Sequence, residues 1–284
     1  MKRRLSYICS LPHSGSTMFS LFLGTHSRMV GLGGIDRSVG LLAEALASRE
    51  AKKLARLHCT CGSAAAECRY WGEVARRIPS HDVGSSCAQY TLALDTFEAV
   101  FGSDMWPVDS SKHVEPLCEV SKIDGLDLRV FHLIKDVRSL TASFVHKKVG
   151  RTGSKRPRVL MAIGYFWKWR RENGKIEACL ERLRAETHRV GYEEVCLAPE
   201  FIMGAVSEFL GLPKEAGALE FQRSNSHLIV GNRMREQEEK QTLRYDHRWF
   251  SRRDWLLAAV LLPSIMRYNS TAVYSHGADA MWGR

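Results

Sequence analysis

The stretch Leu11-Pro12-His13-Ser14-Gly15-Ser16-Thr17 holds the residue types best suited to chemistry. It follows the apolar residues Leu5, Tyr7 and Ile8 and precedes Met18, Phe19, Leu21, Phe22 and Leu23, an order that reads strand, tight loop, helix. Such a loop aims backbone N–H groups and hydroxyls at a helix N-terminus, which suits a phosphate or sulfate. No Gly-Lys-Ser/Thr ends it, so it is not the phosphate loop of an ordinary NTPase. Two further clusters point the same way. Asp109-Ser110-Ser111-Lys112-His113 gathers an acid, two hydroxyls, an amine and an imidazole where a strand is expected to end. Lys135-Asp136-Val137-Arg138 ends the apolar run Val130 to Ile134, and Ser143 follows Lys135 by eight residues. A strand-end cation and a hydroxyl on the next helix then reach one phosphate.

These elements predict an α/β protein in which a central, mostly parallel sheet is flanked by helices, with ligands at the carboxyl ends of the strands. Residues 36–58 carry the apolar face Leu41, Leu42, Ala45 and Leu46 and read as helical. Residues 59–105 alternate helical pieces with breaks such as Gly84-Ser85-Ser86, so 36–105 is expected to be a helical insertion facing the acceptor. The run 147–158 is basic, with no acid, and its glycines and proline suggest a mobile loop serving as a lid or an acceptor clamp. Residues 160–185 read as a helix pair whose Tyr165, Phe166, Trp167 and Trp169 are expected in the core. One domain spanning 1–284 accommodates all of this.

Together the motifs resemble the sulfotransferases that use 3′-phosphoadenosine-5′-phosphosulfate (PAPS). Pro12-His13-Ser14-Gly15-Ser16-Thr17 is similar to that family's 5′-phosphosulfate loop, and Lys135 with Ser143 to its 3′-phosphate pair. Asp109 to Lys112 resembles a cluster in bacterial-type members. Gly191-Tyr192-Glu193-Glu194-Val195, Phe209-Leu210-Gly211-Leu212 and Gly231-Asn232-Arg233-Met234-Arg235 resemble its downstream segments. The resemblance spans roughly residues 5 to 235 and implies a P-loop NTPase-like sulfotransferase fold with PAPS as co-substrate, PAP as product and no metal requirement.

It also implies roles. Ser14, Gly15, Ser16 and Thr17 hold the 5′-phosphosulfate. Lys135, Ser143, Arg233 and Arg235 hold the 3′-phosphate, Arg138 is a further cofactor-binding residue, and Tyr192 lines the adenine side. His13 stands where the family has Arg or Lys and is expected to stabilise the leaving group. Lys135 stands where Arg is usual, keeping the charge and losing the planar fork. His113 is the first candidate for the base that takes the acceptor's proton, with Asp109 and His13 behind it, and Lys112 is expected to polarise the sulfonate oxygens. The acceptor is a small molecule or carbohydrate bearing a hydroxyl or amine. Two rivals stay open: a P-loop-type small-molecule kinase, and a non-catalytic binder of anions or nucleic acid.

Cys59, Cys61 and Cys68, with His58 beside them, offer zinc-type ligands. The Cys-x-Cys spacing favours structural thiols, and no metal is expected there. A formal net charge of +10 and a pI near 9.3 suit an anionic ligand. Hydrophobic content of 45% and charged content of 25% are ordinary for a globular domain. Pro12 and His13 interrupt the first apolar run, and Trp255 to Met266 is too short to span a bilayer. A cytoplasmic protein with reduced cysteines, and neither nucleic-acid nor membrane partners, is expected.

Overall fold

The computed structural model describes residues 3–48, 56–152, 157–215, 224–232 and 243–276. Five strands, β1 (Arg3–Ser10), β2 (Met29–Gly33), β3 (Trp106–Lys112), β4 (Leu126–Ile134) and β5 (Glu186–Gly191), form one all-parallel sheet in the order β2-β3-β1-β4-β5. The sheet is covered on both faces, and every residue of its central strand from Leu5 to Ser10, the two serines included, is buried. The two-residue period of β1 then sorts its side chains. Leu5, Tyr7 and Cys9 enter one core, and Ile8 enters the other.

The first core is covered by α2 (Ile35–Ala47), α3 (Trp71–Arg77), α4 (Ser86–Phe101) and α5 (Val114–Val120), with Trp71, Tyr90 and Phe97 fully enclosed. Within 36–105, α2, α3 and α4 are helical and form a core layer against the sheet, whereas 56–70 is irregular, with a bridge between His58 and Ala64, so the helix expected over 36–58 is described only to Ala47; residues 49–55 lie outside the described residues. The second core lies under α1 (Ser16–Leu23), α8 (Tyr192–Leu197) and α9 (Pro199–Leu210). Beyond the sheet edge, α6 (Val137–Thr152), α7 (Arg158–Leu183), α10 (Leu256–Leu261) and α11 (Pro263–Val273) enclose a third cluster around Phe166 and Trp169. Of the aromatic group expected in the core, Phe166 and Trp169 are buried, whereas Trp167 is 56% exposed.

The basic run differs from expectation. Lys147, Lys148 and Gly150 continue α6, which packs along α7, and Pro157 is the N-cap of α7. A glycine inside a helix costs about 1 kcal/mol, and the packing of Phe144 flat on Tyr165 at 5.3 Å supports this pair of helices. Residues 153–156 lie outside the described residues. Among the described residues no helix is long and apolar enough to cross a membrane. None of the eight cysteines is in a disulfide.

Candidate functional site

The strand order places β1 between β3 and β4, with β2 reached by crossing over β3. Chain direction across the sheet therefore reverses beside β1, and such a reversal opens a crevice at the carboxyl ends of the strands. The register lines those ends up: Cys9 is opposite Lys112, Ser10 opposite Leu133, and Ile134 opposite Gly191. Residues 11–15, 112–113 and 135–136 and the Gly191–Tyr192 turn accordingly share one edge.

The 11–15 loop is shaped by two left-handed residues, His13 (φ 69°) and Gly15 (φ 90°). Gly15 is required twice over. A Cβ there would lie 2.4 and 2.7 Å from ring carbons of Tyr192, and L side chains disfavour this φ. No side chain caps α1, so the amides of its first turn are presented to the loop mouth. Ser14, Ser16 and Thr17 are buried around it, and Thr17 Oγ1 accepts the Asn232 amide at 3.2 Å.

Lys135 is buried behind the same tyrosine, its Nζ 4.3 Å from the Tyr192 ring centre. Ser143 donates to the Ser139 carbonyl at 3.0 Å and lines a cavity of about 260 Å³ with His13, Lys147, Arg248 and Trp249. The Arg138 guanidinium forks onto Asp136 at 3.0 and 2.6 Å and lies over the cavity-lining Trp249. Burial pushes the Asp136 carboxyl up, but the hydrogen bonds and charge of Arg138 outweigh it and hold the pKa below its ordinary value. Arg233 and Arg235 lie outside the described residues.

On the other side of the loop is a larger cleft of about 380 Å³, whose walls include Pro12, Lys112, His113, Phe144, Tyr165 and Trp169. It opens between the strand ends, α6 and α7, and no residue of 36–105 lines it. The two cavities meet at a ring pair: His13 packs edge-on against Phe144, centroids 5.3 Å apart. Lys147 donates to His13 Nε2 at 3.0 Å, so the neighbouring ammonium adds charge where the sequence supplies only an imidazole. Lys112 adopts φ 77° at the cleft. Burial lowers its pKa, and the charge of Arg37 lowers it further. His113 is exposed at the start of α5, its carbonyl fixed by the Tyr7 hydroxyl at 2.6 Å.

Asp109 is not placed as expected. It is fully enclosed and accepts from the Ile35 amide at 3.1 Å, the Ser111 amide at 2.9 Å, the Ser111 hydroxyl at 2.7 Å and the Tyr90 hydroxyl. It ties α2 and α4 to β3 and lines neither cavity. A proton-accepting role toward an acceptor is thereby ruled out by access. Burial raises its pKa to about 7, against the opposing hydrogen bonds of Tyr90 and Ser111. The folded state thus holds this proton more tightly than the unfolded chain, where an aspartate titrates near ~3.9. Its contribution to stability is complete below that value and is lost as pH rises toward 7. Asp109→Asn keeps the acceptor oxygen and removes the charge. Denaturant unfolding at pH 5 and pH 8 is expected to show the variant gaining on the wild type at the higher pH, and parallel pH curves would refute the assignment.

Sequence inspection missed the cavity wall built by Arg248, Trp249 and Arg252. The alternation of arginine with aromatics in Arg244-Tyr245-Asp246-His247-Arg248-Trp249 was the available signal. It also missed His227, which gathers with Cys59, Cys61 and Cys68; His58, adjacent in sequence, is not part of that group.

No protein-family model matches the chain, and no curated protein matches it. Among solved structures it is similar to the sulfotransferase domain of the olefin synthase from Synechococcus PCC 7002. That domain is 13% identical over 92% of this chain and 95% of its own length, with a TM-score of 0.57. It is also similar, more distantly, to the sulfotransferase domain of the curacin biosynthetic pathway (16% identity, 91% and 96% coverage, TM-score 0.46). The sulfotransferase STF9 from Mycobacterium avium is comparably distant (16%, 78% and 67%, TM-score 0.44). A five-stranded parallel sheet with a glycine-dependent loop between its central strand and α1, matched over nearly its whole length by such a domain, gives this chain the fold of a sulfotransferase domain.

Proposed function

We propose that the protein transfers a sulfonate group from PAPS to a hydroxyl or amine of a small-molecule or carbohydrate acceptor. The observation that carries this reading is the pair of cavities meeting at His13 and Phe144, one walled by hydroxyls and cations, the other by aromatics beside His113. A direct transfer needs both substrates held at once on either side of one reacting atom.

When bound, PAPS supplies the sulfonate on a phosphosulfate anhydride. The first-turn amides of α1 and the hydroxyls of Ser16 and Thr17 neutralise the anionic 5′ end. His13, backed by Lys147, faces the charge that develops on the leaving phosphate. Lys135 and Ser143, together with the cationic wall of Arg248 and Arg252, hold the 3′-phosphate. Tyr192 orders the loop through Gly15 and flanks the nucleotide. Across the ring pair, His113 accepts the proton of the acceptor and Lys112 polarises the sulfonate oxygens.

Thermal unfolding with 3′-phosphoadenosine-5′-phosphate (PAP), ADP or ATP with Mg²⁺ tests the class directly, because a ligand bound only by the native state raises Tm. A shift specific to PAP supports the reading, and a shift with ATP and Mg²⁺ alone would favour a kinase. Removing one charge-assisted contact costs ~1.5–3 kcal/mol, or about 10- to 100-fold in affinity. Lys135→Met, which keeps the stem over Tyr192, is expected to weaken PAP by that amount, and Ser143→Ala by about fivefold. Unchanged PAP affinity in a calorimetric titration would remove both residues from the site.

A further inference from the structure

Four metal-ligand groups lie together away from the proposed transfer site. Cys59, Cys61, Cys68 and His227 each offer one ligand atom, and the four atoms lie within 4.8 Å of one another. His227 Nδ1 is 3.2 Å from Cys68 Sγ and 3.7 Å from Cys59 Sγ. A tetrahedral zinc with bonds of about 2.3 Å to sulfur and about 2.0 Å to nitrogen would set S···N edges near 3.5 Å. Three of the four residues are buried. Thiols are weak hydrogen-bond formers, so packing three of them around an imidazole gains little unless a cation joins them.

The surrounding backbone is built to hold these groups. Gly62 (φ 89°) turns the chain so that its amide bonds the Cys59 carbonyl at 3.0 Å, while the Cys59 amide bonds the Ser63 carbonyl at 2.9 Å. This turn brings Cys61 back beside Cys59. The imidazole arrives from a segment 168 residues further on, stitched in place around Thr60. The Thr60 amide donates to the Leu228 carbonyl at 3.1 Å, its hydroxyl donates to the Ser226 carbonyl at 2.7 Å, and the Leu228 amide donates to that hydroxyl at 2.9 Å. Trp71 Nε1 donates to the His227 carbonyl. Such outer contacts orient ligands before a metal enters.

We propose that Cys59, Cys61, Cys68 and His227 form a structural zinc site that clips the 59–68 excursion to the segment carrying residues 226–232. Three thiolates and one imidazole with four ligands and no open position match zinc. Binding displaces the three thiol protons to solvent and leaves His227 neutral, its Nε2 proton retained. The clip matters beyond its own surroundings, since five residues after His227 the Asn232 amide meets Thr17 in the anion loop. The inference does not depend on the transfer activity, and its readouts involve no nucleotide.

Tag-free protein, purified under reducing conditions without added metal, is expected to carry about one zinc per chain by elemental analysis. Replacement by Co²⁺ should give a thiolate charge-transfer band and the ligand-field bands of a tetrahedral site. Cys61 is exposed, so Cys61→Ser should fold; it is expected to lose the stoichiometric metal, as are Cys68→Ser and His227→Ala. Wild-type protein that retains no zinc after incubation with Zn²⁺ and gel filtration would overturn the proposal. Iron at one per chain in place of zinc would overturn the metal assignment. A folded Cys61→Ser variant with full zinc content and an unchanged cobalt spectrum would overturn the four-ligand set.

Discussion

Gly15→Ala is expected to lower PAP affinity by at least about 100-fold while leaving the protein folded. The added methyl would lie 2.4 Å from Cδ2 and 2.7 Å from Cε2 of Tyr192, far inside van der Waals contact. Tyr192 has little room to withdraw, being buried with Lys135 over its ring. The φ of 90° adds strain for any residue with a Cβ, of order 1–2 kcal/mol. Relief is available only by shifting the loop, and the loop amides are what an anion would contact. A loop displaced by a fraction of an ångström loses several hydrogen bonds at once, each charge-assisted contact worth ~1.5–3 kcal/mol, so affinity falls further than stability. For a chain of this size a destabilisation of 1–2 kcal/mol lowers Tm by roughly 2–8 °C. Calorimetric titration with PAP and a thermal melt separate the two effects. In a Tyr192→Leu background the same substitution should cost less, since part of the clash is gone. Equal PAP affinity for wild type and Gly15→Ala would exclude this loop as the anion site.

His113→Ala should lower kcat by about 10²- to 10⁴-fold, the range for losing a positioned general base, with PAP affinity within twofold of wild type. The split follows from position. His113 lines the aromatic cleft and does not line the cavity of Ser143 and Lys147. Its side chain is exposed at the start of α5, and the contact that fixes it, from the Tyr7 hydroxyl, is made to its backbone carbonyl and survives the substitution. Tm should therefore hold. His13→Ala should instead weaken PAP and lower kcat together, because that ring lines the cavity of Ser143 and touches Lys147. If His113→Ala turns over at the wild-type rate while His13→Ala loses the solvent-sensitive proton step, the base is on the donor side.

Local signals were the legible ones. Residues 11–17 announced a strand-to-helix anion loop because glycine and hydroxyls stood between two apolar runs, and the fold bears out that strand, loop and helix. The short apolar stretches at Leu5, Tyr7 and Ile8 and at Val130 to Ile134, each running into a polar turn, made the parallel sheet readable for the same reason. Chemistry set by tertiary packing was not legible. Asp109 carries the residue type of a catalytic base, but Tyr90, Ile35 and Ser111 close over it, and only the packing of α2 and α4 on β3 reveals that. Lys147 looked like loop because of nearby glycines, yet tertiary contact with α7 keeps it helical and delivers it to His13. Arg138 was expected to bind the cofactor, and its ion pair with Asp136 could not be read from the sequence. His227 had no local mark at all, since its cysteine partners lie far back along the chain.

One wall of the aromatic cleft is a single stripe of α7. Tyr165, Lys168, Trp169, Glu172, Lys175 and Ile176 recur at steps of one, three and four residues and face the cleft together. The groups assigned to the nucleotide come instead from the loop after β1, the start of α1, the turn after β4, α6, the start of α8 and the chain after residue 243. On the function proposed here, one wall of the acceptor cleft lies on a helix that supplies no group to the nucleotide. Substitutions along one helical face can retune which acceptor is taken while donor binding stays intact, so a lineage can diversify its products one residue at a time without passing through an inactive ancestor.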